Sequence, residues 1–304
     1  MISQQKKELI ACEVIKTLKS RFDSFPEDSK NNRNAPFHEA FLNAFSNKLR
    51  GNIRDAPYLI SLSSWLHGLN TTLGQSFFEN IAHILSGGVK KEFTKKKKSS
   101  LSITNSQQNE ISKIITNLKN KSSFPNVNDE NEAIFKIDKM QLTPAMDFTA
   151  DNYTEGDNFI EAIELKSVKP NSGEMRGEKQ KILIAKAALK KRYPSKEICF
   201  FIGFPFDPTS PTQTGVDKKR FMDSIIEFTK FFSPNEVLTG DELWDRLSGD
   251  KQTTQQILDI INKIATPNFI ENYDFLKNVQ NRKKDSQHYA AILKEWNISS
   301  TDFI

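Results

Sequence analysis

The chain has 304 residues, with 43 Lys+Arg against 38 Asp+Glu for a formal net charge of +5, and 37% apolar and 27% charged residues. That is enough for one large domain or two small ones with real cores, and it is too apolar and too weakly charged for a disordered chain. The longest apolar run, Ile198 to Phe204, falls far short of the ~20 residues of a membrane span. The N-terminus has no h-region or cleavage site, so a cytoplasmic protein with no membrane partner is expected. Cys12 and Cys199 lie far apart and outside any C-x-x-C spacing, which argues against a disulfide framework and against a structural zinc site.

Along the chain, Ile10, Val14, Ile15, Leu18 and Phe22 recur at helical spacing and predict an amphipathic helix. After a polar loop, Pro36 opens a second helix with Phe37, Phe41, Leu42, Phe45 and Leu49 on one stripe, stopped by Gly51. The third segment, SLSSWLHGLNTTLGQSFFENIAHILSGG, is expected to break near Gly68 and Asn70 and to stop at Gly87 and Gly88. KKEFTKKKK, from Lys90 to Lys98, holds six lysines in nine positions. It reads either as a solvated surface loop or as an arm that tracks phosphates. NEISKIITNLKN predicts a further helix, and no internal repeat is visible.

After residue 125 the period changes. AIFKIDKMQL and NFIEAIELKSV predict strands, KQKILIAKAALKKRY a helix, EICFFIGFPF a buried strand, DKKRFMDSIIEFTKFF a helix and NEVLTG a short strand. DELWDRLSG and TTQQILDIINKIA predict closing helices. The expected class is α/β: an N-terminal helical region over 1–125, then a mixed central sheet flanked by helices over 126–304.

The first two predicted strands carry the chemistry. If they pair about the midpoint of their connection, near Asp151 and Asn152, Asp138 stands opposite Glu164 with Lys166 on the same face. Two carboxylates that close repel unless a cation lies between them. Mg²⁺ meets that need, taking one or two carboxylates and keeping several waters. Lys166 would then orient a water or offset charge developing on a phosphoryl oxygen. Spacing leaves the first acid open among Asp138, Asp147, Asp151 and Asp157, and the alternative is a surface Glu and Lys flanking an ordinary strand.

The segment KIDKM…FIEAIELKSVKPNSGEMRGEKQKILIAKAALKKRYP resembles the core of PD-(D/E)xK nucleases, with Asp138 as first acid, Glu164 as the (D/E) and Lys166 as the K. More narrowly, NAPFHEAFL, LHGLNTTLGQSFFENIAHIL, ELKSVKPNSGEMRG and VLTGDELWDRLSG, in that order, resemble the TdeIII-type family of type II restriction endonucleases. Ile137 stands where the motif has proline, and Asp147 is the runner-up for the first acid. The resemblance implies a restriction-endonuclease-like core that hydrolyses both strands of double-stranded DNA with Mg²⁺ at a GGNCC-like palindrome. A symmetric homodimer suits such a site, with the N-terminal region for dimerisation or DNA contact and a cognate DNA methyltransferase in the same system. The alternatives are a repair or recombination endonuclease on the same core, and a non-catalytic DNA-binding protein.

Other residues have supporting roles in this reading. Glu79 would approach the metal from a helix, and Gln180 would orient the site. Arg176 and Lys179, on a Gly-containing loop after the catalytic strand, would contact DNA. So would Gln213, Lys218, Lys219 and Arg220, in the polar loop Phe206 to Arg220. His38, His67, His83 and His288 lack ligand spacing and, with Trp65, Trp244 and Trp296, read as structural.

Overall fold

The computed structural model describes residues 1–27, 36–45, 56–136, 141–167 and 172–301. In chain order it contains α1 (Gln4–Phe22), α2 (Pro36–Asn43), α3 (Ala56–Thr72), a π-helical turn (Leu73–Phe77), α4 (Phe78–Ser86), β1 (Val89–Phe93) and β2 (Ser102–Thr104). Then come α5 (Asn105–Lys119), α6 (Val127–Phe135), β3 (Leu142–Pro144), β4 (Phe148–Glu155), β5 (Phe159–Leu165), α7 (Ser172–Arg192) and β6 (Glu197–Phe204). The rest is α8 (Lys218–Asp223), α9 (Phe228–Phe231), β7 (Val237–Thr239), α10 (Asp241–Ser248), α11 (Thr253–Ile264), α12 (Phe269–Lys277), α13 (Asn281–Lys284) and α14 (Ser286–Glu295). The class is the expected α/β one, with a five-stranded mixed sheet in the order β1-β4-β5-β6-β7. Among the described residues no helix is long and apolar enough to cross a membrane.

Backbone contacts divide the chain into two compact units, Met1–Lys6 with Phe78–Leu258, and Lys7–Phe77 with Asp259–Ile304. The change of period after residue 125 is therefore a change of secondary structure inside the first unit. In the second unit, Phe22 stacks on Phe269 at 5.5 Å, Phe269 stacks on Trp296 at 5.4 Å, and the Trp65 indole donates to the Arg21 carbonyl at 2.9 Å. There Phe37 and Phe41 of α2 are 80% and 75% exposed, so the stripe they form does not enter the core.

In the first unit, β4 and β5 form an antiparallel hairpin, and α7 is the crossover that makes β6 parallel to β5. Ile160 and Ala162 of β5 and Ile198, Phe200 and Ile202 of β6 share one core with Ile182, Leu183 and Leu189 of α7. The alternation that buries Ile160 and Ala162 carries Glu164 to the same face at the strand end. Helix α5 opens on a buried capping box, in which Thr104 Oγ1 accepts from the Gln107 amide and Gln107 Oε1 accepts from the Thr104 amide.

Several expectations are corrected. The strand expected over AIFKIDKMQL does not begin as one: Ala133 to Phe135 end α6, which Asn126 caps by accepting from the Asn128 amide at 3.0 Å, and Leu142 opens β3. Residues 137–140, Asp138 among them, lie outside the described residues. The partner of β5 is β4, in the stretch expected to be a turn, and Asn152 faces Ile163 while Tyr153 faces Ala162. The lysine run begins in edge strand β1, so the first 125 residues are not wholly helical. The third helical segment runs unbroken past Gly68 and Asn70 to Thr72. The predicted helix over Asp217 to Phe232 is two short ones, α8 and α9.

Helix α7 begins at Ser172, so Arg176 and Lys179 are on a helix and not on a loop. Lys179 is fully buried, with its ammonium 2.6 Å from Glu236 Oε1 and 2.6 Å from Glu130 Oε2. It cannot reach DNA, and its work is to neutralise two buried carboxylates. Removing one partner of such a buried set costs about 3–5 kcal/mol. Lys179→Ala is expected to lower the urea midpoint by that equivalent with an unchanged m-value, and a midpoint at the wild-type value would refute the structural role.

Candidate active site

The site forms where β5 ends beside the first half of β4, with β1 and α7 next to it. Val89 of β1 faces Tyr153 while Lys91 faces Ala150, so β4 carries one extra residue in this stretch and bulges at Asp151 and Asn152. Helix α4 secures the bulge: His83 Nε2 lies 2.6 Å from the Asp151 carbonyl, and Ser86 Oγ donates to Asn152 Oδ1 at 2.8 Å. The β4–β5 register carried one step further sets Asp151 opposite Glu164. Asp151 Oδ2 accepts from the Leu165 amide at 2.9 Å, which locks the two acids together.

Around them the charges alternate. Lys181 lies 2.7 Å from Glu164 Oε1 and 2.7 Å from Glu178 Oε2. Lys166 lies 2.8 Å from Glu178 Oε1, 3.4 Å from Glu164 Oε1 and 3.6 Å from Glu174 Oε1. On the other side, Lys90 pairs with Glu79 at 2.9 Å and reaches Asp151 Oδ1 at 3.6 Å. A cleft of about 370 Å³ opens onto Asp151, Glu164, Lys181, Lys90, Thr94 and Asp147.

Burial and the neighbouring Asp151 hold the Glu164 carboxyl above the usual range, against the opposing pull of Lys181. Burial alone would depress Lys166, but Glu178 and Glu164 outweigh it and raise its pKa. Burial acts on Glu178 in the raising direction, and its bonds to Lys166 and Lys181 reverse this and hold it low. Near Lys90 burial is likewise outweighed, by Glu79 and Asp151, and the ammonium is stabilised.

The donor set discriminates among metals. Among the described residues no three His, Cys, Asp or Glu side chains are grouped to hold an ion, which does not suit a closed zinc-type centre. Two facing carboxylates do suit Mg²⁺, which binds through one or two carboxylates and otherwise through water and phosphate oxygens. Asp151 and Glu164 would hold it.

The other expected residues fall in several places. Glu79 is brought to the site through Lys90. Asp147 lines the cleft but uses its carboxylate to accept from the Lys95 amide at 3.2 Å. Gln180 is half-buried on α7 and Arg176 is exposed on its second turn. Gln213 is exposed in the loop before α8, whereas Lys218, Lys219 and Arg220 lie on α8 and not on the loop. Lys219 is exposed, Lys218 pairs with Glu242 at 2.7 Å, and Arg220 pairs with Asp207 at 2.6 Å and so ties α8 to the preceding loop. Lys95 to Lys98 form an exposed turn that follows Thr94 at the cleft edge. Sequence reasoning missed Glu178, Lys181 and Lys90. A helical reading of SGEMRGEKQK would have set Glu174, Glu178 and Lys181 on one face.

The profile of the family described as type II restriction endonuclease, HinfI, matches residues 2–265. This chain belongs to that family. Type II restriction enzyme MjaII of Methanocaldococcus jannaschii is 45% identical over 316 residues, spanning 98% of this chain and 84% of MjaII. The HinfI-family chain is thus a site-specific deoxyribonuclease acting on double-stranded DNA, in a class that works with divalent metal ions. That membership settles the enzyme class against the non-catalytic alternative.

The raised Glu164 carboxyl has a linkage consequence for this HinfI-family enzyme. The folded protein keeps a proton there that the unfolded chain has already lost, so this group subtracts stability as pH rises from the unfolded value through the folded one. Glu164→Gln removes that titration. Its urea midpoint, compared with wild type at pH 5 and pH 8 without metal, is expected to gain on wild type at the higher pH, and a gap independent of pH would contradict the raised carboxyl.

Proposed function

We propose that the chain is a Mg²⁺-dependent PD-(D/E)xK restriction endonuclease in which Asp151 is the first acid, Glu164 the second and Lys166 the motif lysine. The pairing of Asp151 with Glu164 across the hairpin, on the face that carries Lys166 and Lys181, supports this reading. It favours Asp151 over Asp147, whose carboxylate is engaged with the Lys95 backbone, and over Asp138 outside the described residues. A divalent cation held there supplies Lewis acidity to the scissile phosphate and lowers the pKa of the attacking water. The lysines offset charge that develops on the phosphoryl oxygens, in a setting where burial strengthens them. Glu79 keeps Lys90 beside Asp151, and Gln180 and Arg176 extend the α7 surface towards DNA.

The finer identity follows the TdeIII-type resemblance: cleavage at a GGNCC-like palindrome, in the cytoplasm, with a cognate methyltransferase protecting the same sites. A two-fold homodimer matches a palindrome, and the N-terminal helical region, with its exposed Phe37 and Phe41, carries surface of the kind interfaces use. In this reading exposed Gln213, in the loop before α8, and exposed Lys219, on α8, contact bases or phosphates, while Lys218 and Arg220 of α8 are engaged by Glu242 and Asp207.

Digestion of a sequenced plasmid with Mg²⁺ tests the reading: discrete fragments with ends at GGNCC-like sites are expected, and none with EDTA. Asp151→Ala and Glu164→Ala should each slow cutting about 10²-fold or more. Smeared products, or wild-type rates in either variant, would refute it. Replacing Lys95 to Lys98 by Ala should flatten the dependence of log K on log[salt] by up to about 0.9 for each phosphate left without its lysine, while an unchanged slope returns the turn to a solvated surface.

A further inference from the structure

Among the described residues two lysines pair with Glu164, and of these Lys181 lines the cleft and Lys166 does not. Lys166 is drawn to the α7 side by three carboxylates, Glu178 at 2.8 Å, Glu164 at 3.4 Å and Glu174 at 3.6 Å. Lys181 is held between Glu164 and Glu178, 2.7 Å from each, with only 19% of its side chain exposed. Lys90, the other cleft lysine, is 44% exposed and committed to Glu79. Among the described residues, a phosphate that approaches Asp151 and Glu164 through the cleft therefore meets one desolvated ammonium, and it comes from the crossover helix and not from the strand.

We infer that Lys181 is a catalytic residue of this endonuclease, the cation that contacts the scissile phosphate. The inference rests on the proposed nuclease site and adds to it a residue outside the E-x-K spacing. In the hydrolysis a water oxygen bonds to phosphorus, the bond from phosphorus to the leaving sugar oxygen breaks, the water loses its proton to solvent, and the leaving oxygen gains one from solvent. Lys181 forms no bond in this exchange; its charge offsets the negative charge growing on the non-bridging oxygens, most strongly when that charge is largest. Glu178 keeps the ammonium aimed, since it grips both lysines with one oxygen each.

The test uses the full chain on a plasmid that wild-type protein cuts, with Lys181→Met and Lys181→Gln. Single-turnover cleavage at saturating enzyme is expected to fall about 100-fold or more. DNA affinity, measured with Ca²⁺ replacing Mg²⁺, should stay within about threefold of wild type, a split that a merely structural lysine would not produce, and Lys181→Arg should recover at least about a tenth of the lost rate by restoring the charge. A cleavage rate within about threefold of wild type in either folded variant overturns the inference. So does loss of DNA binding in both, which would make Lys181 structural. Glu164→Ala runs alongside: if it cuts at the wild-type rate, the nuclease site itself is misassigned, whereas its inactivity beside active Lys181 variants rejects Lys181 alone.

Discussion

Two carboxylates facing each other across a hairpin cannot stay ionised in a partly dry place without help, and much of the architecture around Asp151 and Glu164 is that help. A hydrogen bond from the Leu165 amide fixes one acid, and Lys181 and Lys166 flank the other. Glu178 keeps the two ammoniums from repelling each other by standing between them. The arrangement leaves the acids close enough to share a cation while the lysines keep the surplus negative charge small. A net charge of only +5 is compatible with such a site, because its lysines are placed against carboxylates and do not add to a general positive surplus.

Helix α7 shows how one element serves stability and chemistry together. Lys179 and Lys181 are two positions apart, so the 3.6-residue period turns them to opposite sides. Lys179 goes into the interior, between Glu130 and Glu236, and Lys181 goes to the cleft. The helix is thus clamped from behind by a buried ion set while its other face presents Lys181 to the cleft, where the proposed mechanism uses its charge, and the clamp restricts how far that charge can wander.

How much of this could be read from the sequence depends on whether local pattern and tertiary outcome agree. Strand β5, strand β6 and the Glu164-x-Lys166 spacing were legible because alternation and burial reinforce each other there. Strand β4 was not: FTADNYTE is polar, and its bulge interrupts the period-two signal on which strand recognition relies. The start of α7 was hidden by Pro170, Asn171, Gly173 and Gly177, residues that read as loop formers, although the helix includes both glycines. AIFK, from Ala133 to Lys136, mimicked a strand at a helix end, where the capping Asn126 was the better guide. Partnership by charge, as in Glu178 with two lysines, is invisible without the helix that aligns it.

The bulge in β4 makes the position of Asp151 a matter of counting as well as of residue type. Phe148 and Ala150 on one side of it and Tyr153 on the other all enter the same core, although strict alternation would send Tyr153 to the opposite face. The extra residue absorbs that conflict at the point where the acid must turn towards the cleft. A chain lacking Asn152 would keep every side chain the proposed chemistry requires, yet it would have to expose an aromatic or withdraw its acid. The number of residues in β4 is accordingly a tighter constraint on the site than the identity of most of them.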